Sequence, residues 1–168
     1  AVHLHHTWIP RHAQFRGVLS IAAMWTHHTT REGWSDIAQH LTIDREGTIW
    51  TGRHWDLPPA SARGHNGSER SGPFMIEMIG NFDAGEDAFA GPQHGLALLL
   101  DRFDLPVSAI RFHNEMSAKT CPGTAIDRAS LLAAVEPLRR TGPAPEPSPH
   151  MFAEDEDPVS RALAFLSG

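Results

Sequence analysis

Hydrophobic and polar positions change period several times along this 168-residue chain. The opening "AVHLHHTW" alternates as a short strand does, placing His3 and His5 on one face and Leu4 and His6 on the other. Over residues 13–30, Phe15, Val18, Ile21, Ala22 and Trp25 recur at helical spacing, and this stripe is expected to face the core. Two β-rich runs around the turn "DREG" predict a hairpin over about 39–44 and 47–52. The stretch "PPASARGHNGSERSG" is a long loop of turn formers, and loops of that kind inside a domain are often functional. "PFMIEMIGN" is apolar on both faces except at Glu77, as a central strand covered on both sides would be. A helix follows in "GPQHGLALLLDRFDL", with Pro92 near its first turn and Leu96, Leu99, Leu100 and Phe103 facing the core. "SAIRFH" reads as another strand and "IDRASLLAAVEPLRR" as a closing helix. This order predicts an α/β fold, a single mixed β-sheet flanked by helices, in one domain over residues 1–140.

The pattern changes after residue 140. "TGPAPEPSPH" and "EDED" mark residues 141–157 as a proline-rich acidic linker. Residues 158–168 predict a short amphipathic helix or the start of a further module, with Asp157 and Pro158 as cap and first helical residue, and Val159, Ala162, Leu163 and Leu166 on one face. This tail would suit a partner or a further domain.

Composition excludes some classes. Hydrophobic residues make up 40% of the chain, enough for one sizeable core. A formal net charge of −6 with 14 Lys and Arg argues against sequence-independent nucleic-acid binding, which needs clustered cations. No apolar window reaches the ~18 residues of a membrane span, and any export signal is expected to lie outside this chain. The single cysteine, Cys121, cannot form an internal disulfide, which leaves a buried hydrophobe, a nucleophile or a metal ligand.

Catalytic zinc sites take three protein ligands from His, Cys and carboxylate and keep a fourth position open. His5 on a strand, His113 at a strand end and Cys121 on the next loop would supply that set if their strands adjoin. The same residue types equally suit a satisfied core histidine and an inert buried thiol. Glu77 stands out as a carboxylate in an apolar strand, costly to bury unpaired.

Five ordered motifs carry a resemblance over residues 2–130: an early "HHT" after a strand, "GWSDIAQHLTIDREGTIWTGR", "GHNG", "MIEMIGNFD" and "HNEMSAKTCPG". Together they resemble the zinc-dependent N-acetylmuramoyl-L-alanine amidases of the type that includes peptidoglycan recognition proteins and phage amidase lysozymes. The resemblance implies Zn2+ held by His5, His113 and Cys121, with His3 and His6 as alternatives to the first ligand. Glu77 matches the glutamate of the muropeptide-recycling amidases, and Lys119 matches their lysine two residues before the last ligand, although those enzymes use Asp where this chain has Cys121. Gln39 stands where phage and animal amidases carry a catalytic tyrosine, and glutamine cannot titrate.

The implied activity is zinc-dependent hydrolysis of the amide between N-acetylmuramic acid and L-alanine in peptidoglycan or muropeptides. Glu77 would move the proton and Lys119 would stabilise the oxyanion. Gln39, Arg63, His65 and Asn66 are expected substrate contacts. His27 and His28 suit a helix C-terminus, and Trp8, Trp34, Trp50 and Trp55 are expected to pack in the core or at the rim. Two other readings are a non-catalytic recognition module, disfavoured by the presence of Cys121, and an interaction protein acting through its tail. The cell envelope, the exterior, or cytoplasmic recycling would each fit this chemistry.

Overall fold

The computed structural model describes residues 1–60, 72–86 and 91–139. Its elements run β1 (Val2–His6), α1 (Val18–Thr30), β2 (Leu41–Ile43), β3 (Ile49–Thr51), β4 (Phe74–Met78), α2 (Gly91–Arg102), β5 (Ile110–Phe112) and α3 (Arg128–Val135). The five strands form one sheet in the order β3-β2-β4-β1-β5. Only the β2–β3 hairpin is antiparallel; β2–β4, β4–β1 and β1–β5 pair in parallel. The expected mixed sheet with flanking helices is the fold observed. The expected linker and terminal helix over 141–168 lie outside the described residues.

Alternation along β1 divides the sheet into two faces with different work. Leu4, Leu41, Ile76 and Phe112 share one row across four strands and are at most 2% exposed. They meet Leu96, Leu100, Leu131 and Val135 of α2 and α3 in a single core. Gly95 lets α2 approach β2 closely, since a Cβ there would lie 2.9 Å from Ile43 Cγ2. Asp127 caps α3 by accepting a hydrogen bond from the Ser130 N–H at 2.7 Å. The opposite face carries His3, His5, Met75, Glu77 and Thr42, and it is here that polar side chains gather.

Helix α1 corrects one expectation. The stripe of Val18, Ile21, Ala22 and Trp25 is helical but not core: no residue of α1 is buried, and Val18 and Trp25 are 41% and 37% exposed. The core face of the sheet is filled by α2 and α3, and α1 and the residues leading into it make their contacts elsewhere. Gly17 and Phe15 meet Trp50, Trp25 Nε1 donates to Asp36, and His28 Nδ1 accepts the Ala38 N–H. His27 and His28 do occupy its last turn, as expected. Trp50 and Trp55 pack against other rings, whereas Trp8 is 60% exposed. No helix among the described residues is long and apolar enough to cross a membrane.

Candidate metal centre

The parallel pairing of β1 with β5 and β4 assembles the site. β1 delivers His5, and His113 opens the short helical turn His113–Glu115 that ends β5. The chain then loops to Cys121, whose carbonyl accepts the Asn114 N–H at 2.7 Å. Potential ligand atoms of His5, His113 and Cys121 all lie within 4.8 Å of one another, and this is the single such group among the described residues. All three are buried, at 5%, 8% and 9% exposure. The rings of His5 and His113 are 4.3 Å apart between centroids.

The electrostatics of the group suit a cation. Burial, and then the neighbouring His113, push the His5 pKa down to about 3, so the ring is neutral at pH 7. His5 Nε2 is buried with no hydrogen-bond partner, an arrangement that costs free energy unless something else satisfies that nitrogen. Burial pushes the Cys121 thiol up to about 12, opposed by a hydrogen bond from the His6 backbone N–H and by Lys119. Two imidazoles, that of His5 held neutral by burial, and a thiol that a cation would deprotonate form the donor set expected of a borderline-soft metal such as zinc. The residues present therefore fit the metal.

The Cys121 loop is seated against β4's exit. Gly123 has φ +123° and lies on Phe82, where a Cβ would come 2.4 Å from Phe82 Cβ. Only glycine fits that seat.

Glu77 is in register with His5 on one side and Thr42 on the other, so the three share one row of the polar face. It is half-buried, no cation pairs with it among the described residues, and burial raises its pKa to about 8. Lys119 is exposed on the loop two residues before Cys121, and its charge lowers the pKa of both His5 and Cys121.

Gln39 is fully buried, with Nε2 donating at 2.8 Å to Oγ1 of Thr42, the residue in register with Glu77. Arg63, His65 and Asn66 lie outside the described residues. Of the alternatives to His5, His3 is buried on the same face but outside the three-residue group, and His6 Nδ1 accepts the Phe82 N–H. His40, in the hairpin motif, is a satisfied interior histidine: Nδ1 accepts from the Met75 N–H and Nε2 donates to the Leu57 carbonyl. A separate cleft of about 440 Å³, lined by His12, Phe15, Arg45, Glu46, Ile79 and Glu86 among others, contains none of the three grouped residues. Sequence reading missed Asp83, Thr120 and Thr124, which tie the Cys121 loop down. The hydroxyls flanking the cysteine in "KTCPGT" were the only local sign.

Known proteins share parts of this sequence and its fold. The chain is 28% identical over 139 residues to an N-acetylmuramoyl-L-alanine amidase of Sus scrofa, covering 74% of this chain but 22% of that protein. It thus spans about a fifth of the length of its mammalian relatives. It is 28% identical over 132 residues to peptidoglycan-recognition protein SC1a of Drosophila melanogaster, covering 73% of this chain and 67% of the other. Among solved structures, N-acetylmuramoyl-L-alanine amidase LysC of Clostridium intestinale superposes with a TM-score of 0.63 at 22% identity, covering 80% and 83% of the two chains. Drosophila PGRP-LB superposes with a TM-score of 0.60 at 21% identity, covering 80% and 78%. These likenesses to solved structures show a shared fold. Residues 1–124, which hold the five strands of the described residues and all three grouped side chains, match the N-acetylmuramoyl-L-alanine amidase family, and the chain belongs to that family.

Proposed function

We propose that the chain hydrolyses the amide bond between N-acetylmuramic acid and L-alanine in peptidoglycan or its fragments, using zinc held by His5, His113 and Cys121. The observation that carries this reading is the convergence of those three buried donors beside Glu77 on one face of the sheet. When bound, zinc would supply Lewis-acid polarisation of the scissile carbonyl and greater acidity of a water at its open position. Glu77 accepts a proton from the attacking water and returns it to the departing alanine nitrogen as the C–N bond breaks. Its pKa, raised by burial, would be pulled back down by a cation held at the adjacent group. Lys119 lies close enough to influence His5 and Cys121 and offers an ammonium donor to the oxyanion, an effect of about 3–4 kcal/mol for one well-placed donor. Gln39 and Thr42 support the floor of the row from within.

The test is digestion of purified sacculi and, separately, of soluble anhydro-muropeptides, with mass spectrometry of the products. Release of peptides with a free L-alanine amine, abolished by chelation and restored by zinc, is the expected result. Tight muropeptide binding without cleavage by zinc-loaded protein would replace this reading with the recognition module.

A further inference from the structure

The Cys121 loop is held by an acidic side chain far away in sequence. At the exit of β4, Asn81 Oδ1 accepts the Asp83 and Ala84 N–H groups, each at 3.1 Å, which sets the turn that presents Asp83. The two oxygens of Asp83 then take different partners: Oδ2 accepts from Thr120 Oγ1 at 2.7 Å, and Oδ1 accepts from the Thr124 N–H at 2.9 Å. One carboxylate thus grips the chain immediately before and shortly after Cys121. Next to it, the Ala125 N–H donates to the Phe82 carbonyl at 3.0 Å, and Gly123 rests on Phe82. His6, which follows the candidate ligand His5, stacks on Phe82 and brings Nε2 to 4.0 Å from Asp83 Oδ2. The Asp83 turn is therefore in contact with both segments that carry the metal donors.

We propose that Asp83 is a positioning residue for the metal centre, its carboxylate bridging Thr120 and Thr124 so that the Cys121 sulfur is presented to His5 and His113. This rests on the reading of those three residues as metal ligands. A loop ligand without such a tie would lose conformational freedom on binding the metal, and that cost would appear as weaker affinity. With the tie, the freedom is surrendered on folding, before the metal arrives. The carboxylate is not one of the grouped donors; it acts through the loop that carries Cys121, as partners outside the coordination sphere commonly do.

Cobalt(II) is the probe, because a thiolate ligand gives it a charge-transfer band that reports sulfur geometry directly. The full chain and its Cys121→Ala, Asp83→Ala, Asp83→Asn and Thr120→Val variants are stripped of metal, checked for folding by circular dichroism, and titrated with cobalt. The unsubstituted chain should show the band and Cys121→Ala should lack it; absence of the band in the unsubstituted chain would overturn the ligand reading itself. Asp83→Ala should raise the cobalt Kd about 10- to 100-fold and alter the band. Thr120→Val, which removes one of the two bonds and is milder for folding, should fall in between. Asp83→Asn can still accept from Thr124 and donate to the Thr120 hydroxyl, so it should stay within about threefold of the unsubstituted chain. In the metal-free proteins, alkylation of Cys121 by iodoacetamide should be faster in Asp83→Ala than in the unsubstituted chain. Normal cobalt affinity and an unchanged band in Asp83→Ala, or in Thr120→Val should Asp83→Ala not fold, would overturn the positioning role. So would equal losses in Asp83→Asn and Asp83→Ala, because they would assign the effect to charge rather than to the bridge.

Discussion

Replacing Glu77 with glutamine should destroy activity and, in the metal-free protein, increase stability at neutral pH. The stability half follows from burial. The carboxyl pKa rises from 4.5 to about 8 on folding, with burial the cause. A group whose folded pKa is raised binds more protons in the folded state between those two values, so stability falls as pH rises from 4.5 towards 8. At pH 7 the full difference is about 3 kcal/mol at 1.36 kcal/mol per pH unit, and solvent reaching the half-buried side chain reduces it to about 1–3 kcal/mol. Glutamine has nearly the same shape and never ionises. Urea denaturation of EDTA-treated unsubstituted and Glu77→Gln chains, from pH 4 to pH 8, isolates this contribution, because the other titrating groups are common to both and cancel. The variant should match the unsubstituted chain near pH 4 and exceed it increasingly to pH 8, with zinc shrinking the gap. Turnover on muropeptide should drop by about 100-fold or more, with zinc content retained. A stability difference that is flat with pH, or that widens as pH falls, would refute the reasoning: Glu77 would then be paired with a cation, as a structural carboxylate would be. Full activity in the variant would remove Glu77 as the proton acceptor.

Three further outcomes are expected. A Cys121→Ala, His113→Ala double variant should retain little or no zinc by elemental analysis, and full retention would dismiss the three-residue centre. Gly123→Ala should lower both zinc retention and melting temperature, because its Cβ would fall 2.4 Å from Phe82 Cβ at a φ that L-residues rarely adopt, so unchanged zinc content would show that the loop seat is not needed. His40→Leu should cost about 1–3 kcal/mol by removing the buried hydrogen bonds to the Met75 N–H and the Leu57 carbonyl while leaving zinc content intact. Burial lowers the His40 pKa, opposed by the Leu57 hydrogen bond, so its stabilising effect is complete above pH 6.5 and declines as pH falls below that; a cost independent of pH would contradict a neutral His40.

Local order was legible in the sequence because it is written in nearest neighbours. The alternation of "VHLHH" separated His3 and His5 from Leu4, and the turn "DREG" marked the β2–β3 hairpin, each through contacts a few residues long. The ordered motifs also indicated the family, and through it the choice of His5, His113, Cys121 and Glu77. Only tertiary structure decided which strands adjoin, because parallel pairing joins segments with no local signal: β1 lies between β4 and β5, and that alone brings His5 to Glu77 on one side and to His113 and Cys121 on the other. It also decided burial. The stripe on α1 has the period of a core helix, yet α2 and α3 already cover the apolar face of the sheet, and Gln39 is fully buried against Thr42. The grip of Asp83 on Thr120 and Thr124 belongs to the same class, since a hydrogen bond between β4's exit and the Cys121 loop exists only once chain folding has closed the distance between them.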